Sequence, residues 1–486
     1  MKRLTLLVIL GLLTASPAFA DPIPLITKIS LTSGKSMEGG IAVNPVTHKA
    51  YVIAELAAEG ADDEKVVFVI DSDALKDAKR APKKISLSPG TTTDPLKWIP
   101  IPNENEYMAI DSTRNLIYVG TRFSVEQEES DSDTETDPDG GGEVEAPGGV
   151  DAPDPVPVTA LEPAPVIRGT LTVIDGNTDT VIATWYFPPG IEPEGVAVDP
   201  ANGVVYLGAK APEGEADADD HCSSGVPIFD VGEPGDVECW TAGHIYAFSV
   251  DPALKSIRFL KDIPAGDDPE SVVFADGMVY AANEDDGTVT IASAVNLDGT
   301  GGELLTDQPR PPVEPYESGL APYDLGVFYD AGPNPLACAE NKFEADKMAA
   351  GGGSVFITDD RSRVAKITGT TVAGVWDVPG ASVCEQIPNS DGGGLNSANN
   401  IAFMQKSGGG KDGGGVLYVV SEQNTVAMFD PETMKQRGTV TIPGAQHLDG
   451  IAVDAAATRV WITDEVLNAV FVLQGACANG TGNCIK

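Results

Sequence analysis

Val196-Ala197-Val198-Asp199-Pro200, followed after a short polar turn by Val205-Tyr206-Leu207-Gly208, is the stretch whose reading decides the fold. Two β-rich runs on either side of Asp, Pro, Asn and Gly read as an antiparallel hairpin, because those turn residues tolerate the chain reversal. The same form recurs along the chain. It occurs as Gly40-Ile41-Ala42-Val43-Asn44-Pro45 with Ala50-Tyr51-Val52-Ile53, and as Met108-Ala109-Ile110-Asp111 with Ile117-Tyr118-Val119-Gly120. After the quoted copy come Val272-Val273-Phe274 with Val279-Tyr280-Ala281-Ala282, and a degenerate fifth, Leu325-Gly326-Val327-Phe328, with Val355-Phe356-Ile357-Thr358 beyond an insertion. Ile401-Ala402-Phe403 with Leu417-Tyr418-Val419-Val420, and Ile451-Ala452-Val453-Asp454 with Val460-Trp461-Ile462-Thr463, complete the series. One motif recurring in this way marks a repeat architecture; a sandwich of hairpins gives no reason for it.

Most copies are followed by a third strand, as in Val66 to Asp71, Gly169 to Asp175, His244 to Val250 and Thr425 to Asp430. A fourth comes next in Thr180 to Phe187, Ser256 to Ile263 and Gly438 to Ile442. Four antiparallel strands per unit predict the blades of a propeller, so the expected fold is all-β, a single seven-bladed β-propeller over 21–486. The seventh unit has no fourth strand of its own. The unassigned segment Leu25 to Leu31 is expected to supply it and so remove the open sheet edges.

With those hairpins in view, the chain resembles the YVTN-type β-propeller repeat family and is similar in form to NHL and lactonase-type propellers. Tyr51-Val52, Tyr118-Val119, Tyr206-Leu207, Tyr418-Val419 and Trp461-Ile462 carry the resemblance, with Asn424-Thr425-Val426 and Gly287-Thr288-Val289. It covers nearly all the mature chain and implies the fold. Function it leaves open, since such scaffolds serve binding proteins, surface proteins and some enzymes.

Residues 1–20 read as a secretory signal peptide: Lys2 and Arg3, the apolar run Leu4 to Leu13, then the small-x-small site Ala18-Phe19-Ala20. A retained anchor is the competing reading, but the run is shorter than the roughly 20 residues a membrane helix needs, and no later segment approaches that length. A periplasmic or secreted monomer with no membrane span is therefore expected. The formal charge of -42 repels phosphate backbones, so nucleic acid is not an expected partner. A basic protein or a cation is, although a salty habitat would produce the same bias. Six cysteines in an exported chain point to disulfides, Cys222 with Cys239, Cys477 with Cys484 and, by elimination, Cys338 with Cys384. Zinc is the alternative, but no Cys-x-x-Cys occurs, and no Cys-x-x-Cys-His marks a covalently attached haem.

Two insertions concentrate the charge. Residues 123–167 hold thirteen Asp or Glu and 211–242 nine, with no Lys or Arg in either, so half the excess of the mature chain sits in two loops. The first reads as disordered or loose. Both interrupt neighbouring units after the second strand and are expected on one face. Asp131-x-Asp133-x-Glu135-x-Asp137-x-Asp139-Gly140 resembles a calcium-loop spacing, but the glycine is misplaced and Pro138 intrudes, so a solvated acidic linker is the simpler reading. The insertions 329–353 and 405–415 are Gly-rich and uninformative.

Register yields a candidate site. Three residues before the central Ala of the innermost strands, or its equivalent, stand Glu106, Glu194, Glu270, Asn399 and Asp449, with Glu38 one position further out in the first unit. Just after the second strands stand Glu55, Arg122, Lys210, Glu284, Asp359, Glu422 and Glu465. Equivalent positions of a closed ring converge, and converging carboxylates require a cation or protonation. Glu106, Glu194, Glu270, Asn399 and Asp449 are thus candidate ligands for Ca²⁺ or Mg²⁺; capping loops or pairing with Arg122 and Lys210 is the alternative role. His447 is a candidate base beside the funnel, and no nucleophile motif appears. The expected function is a non-enzymatic binding or interaction scaffold. The alternative, by fold analogy with Glu194, Asn399 and Asp449, is a metal-dependent hydrolase of the lactonase or gluconolactonase type. A subunit of a periplasmic dehydrogenase system is a third reading, without a visible cofactor-attachment motif.

Overall fold

A computed structural model describes residues 25–31, 40–56, 64–71, 85–86, 96–100, 107–125, 166–210, 226–229, 237–240, 243–266, 268–284, 287–305, 345–359, 362–379, 382–386, 395–396, 398, 400–405 and 414–474. Seven small sheets, antiparallel except where Ile85–Ser86 pairs parallel with Leu25–Ser30, form the blades of a seven-bladed propeller. Unit one is Ile41–Asn44, Lys49–Leu56, Glu64–Asp71 and Leu96–Pro100; unit two is Tyr107–Asp111, Leu116–Val125, Val166–Asp175 and Thr180–Pro189. Unit three is Glu192–Asp199, Val204–Lys210, His244–Asp251 and Ser256–Pro264. Unit four has three strands, Ser271–Ala275, Met278–Asn283 and Thr288–Ser293, edged by isolated bridges from Ala292 to Leu304 and Val295 to Gly301. Unit five is Ala345–Gly351, Ser354–Asp359, Arg363–Thr368 and Thr371–Asp377; unit six is Asn400–Gln405, Gly415–Ser421, Thr425–Phe429 and Gln436–Thr441. Unit seven, Leu448–Asp454, Arg459–Asp464 and Ala469–Gln474, mixes the two ends of the chain: Leu25–Ser30 lies antiparallel beside Ala469–Gln474, with Ile29 opposite Val470.

The aspartate of each Ala-Val-Asp run explains its own turn. Asp199 is 1% exposed, and its carboxylate accepts the backbone N–H of Ala201 and Asn202, at 2.9 and 3.3 Å. Asp111 does the same for Thr113 and Arg114, and Asn44 for Val46 and Thr47. A short side chain that satisfies two orphan donors fixes the reversal without further support. The turn then needs a left-handed residue, met by Gly203 at φ 71° in unit three and by His48 and Asn115 in units one and two.

Packing between blades explains the tyrosines. The second strands are buried along nearly their whole length, so alternate residues serve opposite neighbours. In unit three, Tyr206 faces unit four among Val272, Val279 and Val295, whereas Val205 and Leu207 face unit two. Every interface between blades has such an apolar cluster with one second-strand aromatic in it: Tyr51, Tyr118, Tyr206, Tyr280, Phe356, Tyr418 and Trp461 in turn. Trp461 packs unit seven against Val43, Val52 and Phe68 of unit one, completing the circle.

Several expectations are corrected. The inner strand of unit five is Ala345–Gly351, with Ala349 opposite Phe356; residues 325–328, read as that strand, lie outside the described residues. The insertion 329–353 thus contains a blade strand. The 123–167 insertion is shorter than expected, because the strands of unit two pair as far as Val125 with Val166. Within 211–242, Val226–Phe229 and Val237–Trp240 form a hairpin of their own. Cys222, Cys338, Cys477, Cys484, the signal peptide and the calcium-like run lie outside the described residues. Among the described residues no helix is long and apolar enough to cross a membrane.

Trp461 is fully buried at the interface between the last and first units. Trp461→Ala is expected to cost about 3–5 kcal/mol in denaturant unfolding. Leu254→Ala, at a side chain 75% exposed, should stay within about 0.5 kcal/mol of the parent.

Candidate functional site

The inner strands of all seven units line one cavity of about 490 Å³ on the axis. Register decides what each contributes. Counting back from the residue opposite the aromatic, the next position is apolar in every unit and lines the cavity, as with Met108, Val196, Val272, Met348, Ile401 and Ile451. One step further come Gly40, Tyr107, Gly195, Ser271, Lys347, Asn400 and Gly450. The third step holds the expected carboxylates Glu194, Glu270 and Asp449, and with them Asp346 of unit five.

Asp346 and Lys347 are the residues that the sequence reading missed. Lys347 lines the cavity. Its ammonium donates to Glu270 Oε1 and, at 3.2 Å, to the hydroxyl of Tyr107, and it stands 2.8 Å from Asp346 Oδ1. The Tyr107 hydroxyl donates to the same Glu270 oxygen at 2.6 Å, and the lysine nitrogen sits 5.0 Å from the tyrosine ring centroid. Tyr107 belongs to unit two and Glu270 to unit four. Between them unit three has Gly195 at that level, where a Cβ would meet the backbone of Ser271 and Val272 at 2.3 to 2.6 Å, so the glycine lets units three and four approach closely.

Three carboxyls crowd this one ammonium. Burial opposes ionisation of Glu270, but the Lys347 charge and hydrogen bonds overcome it and hold its pKa at about 2. Burial, then the charge of Glu270, push Glu284 up to about 11. Burial and the Glu270 charge likewise raise Asp346 well above the ordinary aspartate range. Like charges this close do not all ionise, so one carboxylate pairs with the lysine and two carboxyls keep protons.

The opposite wall comes from unit seven. His447, Asp449 and Glu465 line the cavity there, with His447 Nδ1 3.8 Å from Glu465 Oε2. The buried Asp464 positions this segment by accepting the N–H groups of Gln446 at 2.8 Å and Leu467 at 2.9 Å. Burial raises its pKa against those hydrogen bonds.

The other expected residues divide. Glu106, Asn399 and Glu38 lie outside the described residues, and of Glu55 and Arg122 only the backbone is described. Lys210 pairs with Asp268 at 3.0 Å. Glu422 keeps one buried carboxylate oxygen without a hydrogen bond. Asp359 falls out of the ring: pairing with Ala345 places it one residue before the position of Glu284 and Glu465, and it caps Ser362 and Arg363 instead. Among the described residues, no three His, Cys, Asp or Glu are grouped to hold a metal ion. For Glu270 the positive charge expected from a divalent ion is supplied by Lys347.

No family model matches the chain, and no curated protein matches it. Among solved structures, it is similar to the crystal structure of Raptor from Chaetomium thermophilum, with 8% identity and a TM-score of 0.46. The match covers 94% of this chain, which spans 29% of that one.

The protonated carboxyl of Glu284 has a consequence for stability. A glutamic acid ordinarily loses its proton near pH 4.5, whereas in the folded chain Glu284 keeps it to about 11. Stability therefore falls as pH rises through that window, by up to about 1.4 kcal/mol per pH unit. Glu270, depressed to about 2, acts in the opposite sense: its contribution is present above pH 4.5 and is lost as pH falls toward 2. Glu284→Gln should flatten the alkaline decline in unfolding free energy between about pH 6 and pH 9, by about 1 kcal/mol or more. An unchanged slope would refute the protonated state.

Proposed function

We propose that this protein is an exported, non-enzymatic interaction scaffold of the YVTN type, whose channel-mouth face binds a basic protein or a cation. What supports this reading is that Glu194, Glu270, Asp346 and Asp449 hold equivalent register positions just outside the inner strands, with Lys347 as the one cation at the neighbouring equivalent positions of the described inner strands. The insertions after Val125 and Lys210 leave from second-strand ends, the same ends that carry Glu284 and Glu465, and the proposal assigns their negative charge to that face. A periplasmic or secreted location follows from the leader-like residues 1–20. The pairing of Leu25–Ser30 with the last unit serves, in this reading, as the latch of the ring.

A divalent ion, Ca²⁺ or Mg²⁺, held by Glu106, Glu194, Asn399 and Asp449 is the second element of the proposal, and elemental analysis of the purified protein tests it. One observation favours a hydrolytic reading instead: His447 stands beside two carboxylates in the cavity. Lactone turnover abolished by a chelator would select it.

The scaffold reading predicts that immobilised protein retains basic partners at low salt and releases them as salt rises. Deletion of 124–166 should weaken that capture severalfold. Capture indifferent to both changes would contradict it.

A further inference from the structure

Aromatic rings gather on the outer rim where units two and three meet. Trp185 and Phe187, on Thr180–Pro189, lie 5.5 and 5.8 Å from Phe248 between ring centroids, and Phe187 lies 5.3 Å from Tyr246. Phe259, on the outermost strand of unit three, extends the strip at 5.9 Å from Phe248 and 6.4 Å from Tyr246. Phe187 and Phe248 are buried, Trp185 and Tyr246 are half-buried, and Phe259 is 43% exposed. The inner side of the strip is thus covered by the two blades, while its outer side keeps apolar ring surface facing solvent. Trp185 and Tyr246 each add a donor hydrogen at the ring edge. Rings with such donors suit a polyproline II segment, whose preformed backbone seats prolines between rings and leaves its carbonyls to accept.

The chain carries a segment of that composition beside the strip. Residues 147–165 hold six prolines in nineteen positions: Pro147, Pro153, Pro155, Pro157, Pro163 and Pro165. They end where Val166–Asp175 begins, and that strand pairs with Thr180–Pro189, Arg168 opposite Pro189 and Thr170 opposite Tyr186. Strand rise and spacing put the level of Phe187 about 15 Å from Val166. At about 3.1 Å per residue, a polyproline II stretch of about five residues covers that distance. We propose that residues 147–165 dock in cis on the rim strip of Trp185, Tyr246 and Phe259. A tether this short holds the segment at an effective concentration in the millimolar range, so even a weak contact is filled. The docked stretch contains three of the thirteen acidic residues of the insertion and leaves the other ten, Glu126 to Glu145, for the partner proposed above. The contact lies on the rim rather than at the channel mouth and stands independently of that partner.

The test compares the full chain with a chain lacking 147–164, using a synthetic peptide of residues 147–165 as the probe. Calorimetric titration should show the peptide binding the shortened chain saturably and the full chain at least about tenfold more weakly, because there the strip is already filled. The same peptide with Pro153, Pro155 and Pro157 replaced by alanine should bind at least about tenfold more weakly, and Phe259→Ala in the shortened chain should weaken binding severalfold. Acrylamide quenching of Trp185, taken as the difference between each chain and its Trp185→Phe variant, should rise on shortening. No saturable binding up to about 1 mM, or unchanged quenching, would overturn the proposal. Equal binding to both chains would overturn it as well and reassign the strip to a proline-rich partner. Should the shortened chain not fold, Pro155→Ala with Pro157→Ala in the full chain serves instead: raised quenching of Trp185 supports docking, and unchanged quenching refutes it.

Discussion

One aromatic side chain buried between each pair of blades is the contact on which the rest depends. A four-stranded unit alone has two apolar faces and nothing to cover them, so its second strand would expose Tyr206 on one side and Val205 and Leu207 on the other. Neighbouring units remove that exposure, and they do so for every unit only if the series returns to its start. Trp461, fully buried against Val43, Val52 and Phe68, is where the return occurs. Ile29 and Leu31, from near the N-terminus, are buried in the same cluster.

The channel chemistry follows from that closure. Once the aromatic of each second strand is seated, antiparallel pairing determines which inner-strand residue faces the axis, and identical offsets in seven units become neighbours. Residues far apart in the chain then share one electrostatic problem. Glu270, Glu284 and Asp346 cannot all be charged beside a single lysine, and the solution is one ion pair with two protonated carboxyls. Gly195 matters here through what it lacks, since a side chain there would strike the backbone of Ser271 and Val272 and hold units three and four apart.

Much of this was legible in the sequence because the motif contains its own reasons: the turn-capping Asp, the left-handed residue after it and the buried tyrosine recur together. Legibility failed where a unit dropped two of these at once. In unit five, Met348-Ala349-Ala350 leads into a glycine turn with no aspartate, and the aromatic is Phe356. Leu325 to Phe328 is the more apolar run and by pattern alone the better strand candidate, which puts Asp346 and Lys347 inside an insertion. Counting back seven residues from Phe356 to Ala349, as Tyr280 is counted back to Val273, recovers Asp346 at the carboxylate position. Asp359 shows the opposite error: a slip of one residue moved a turn cap into the ring. The reach of Tyr107 past unit three to Glu270 was not readable, because it joins side chains of two blades that are not neighbours.

The central claim is that closure brings unit two and unit five into contact across the axis, and the pair Tyr107 and Lys347, 240 residues apart in the chain, measures it most directly. A double-mutant cycle of Tyr107→Phe and Lys347→Met in unfolding free energy should show a coupling of about 1 kcal/mol or more. Additivity within about 0.3–0.5 kcal/mol, with both single variants folded, would contradict it.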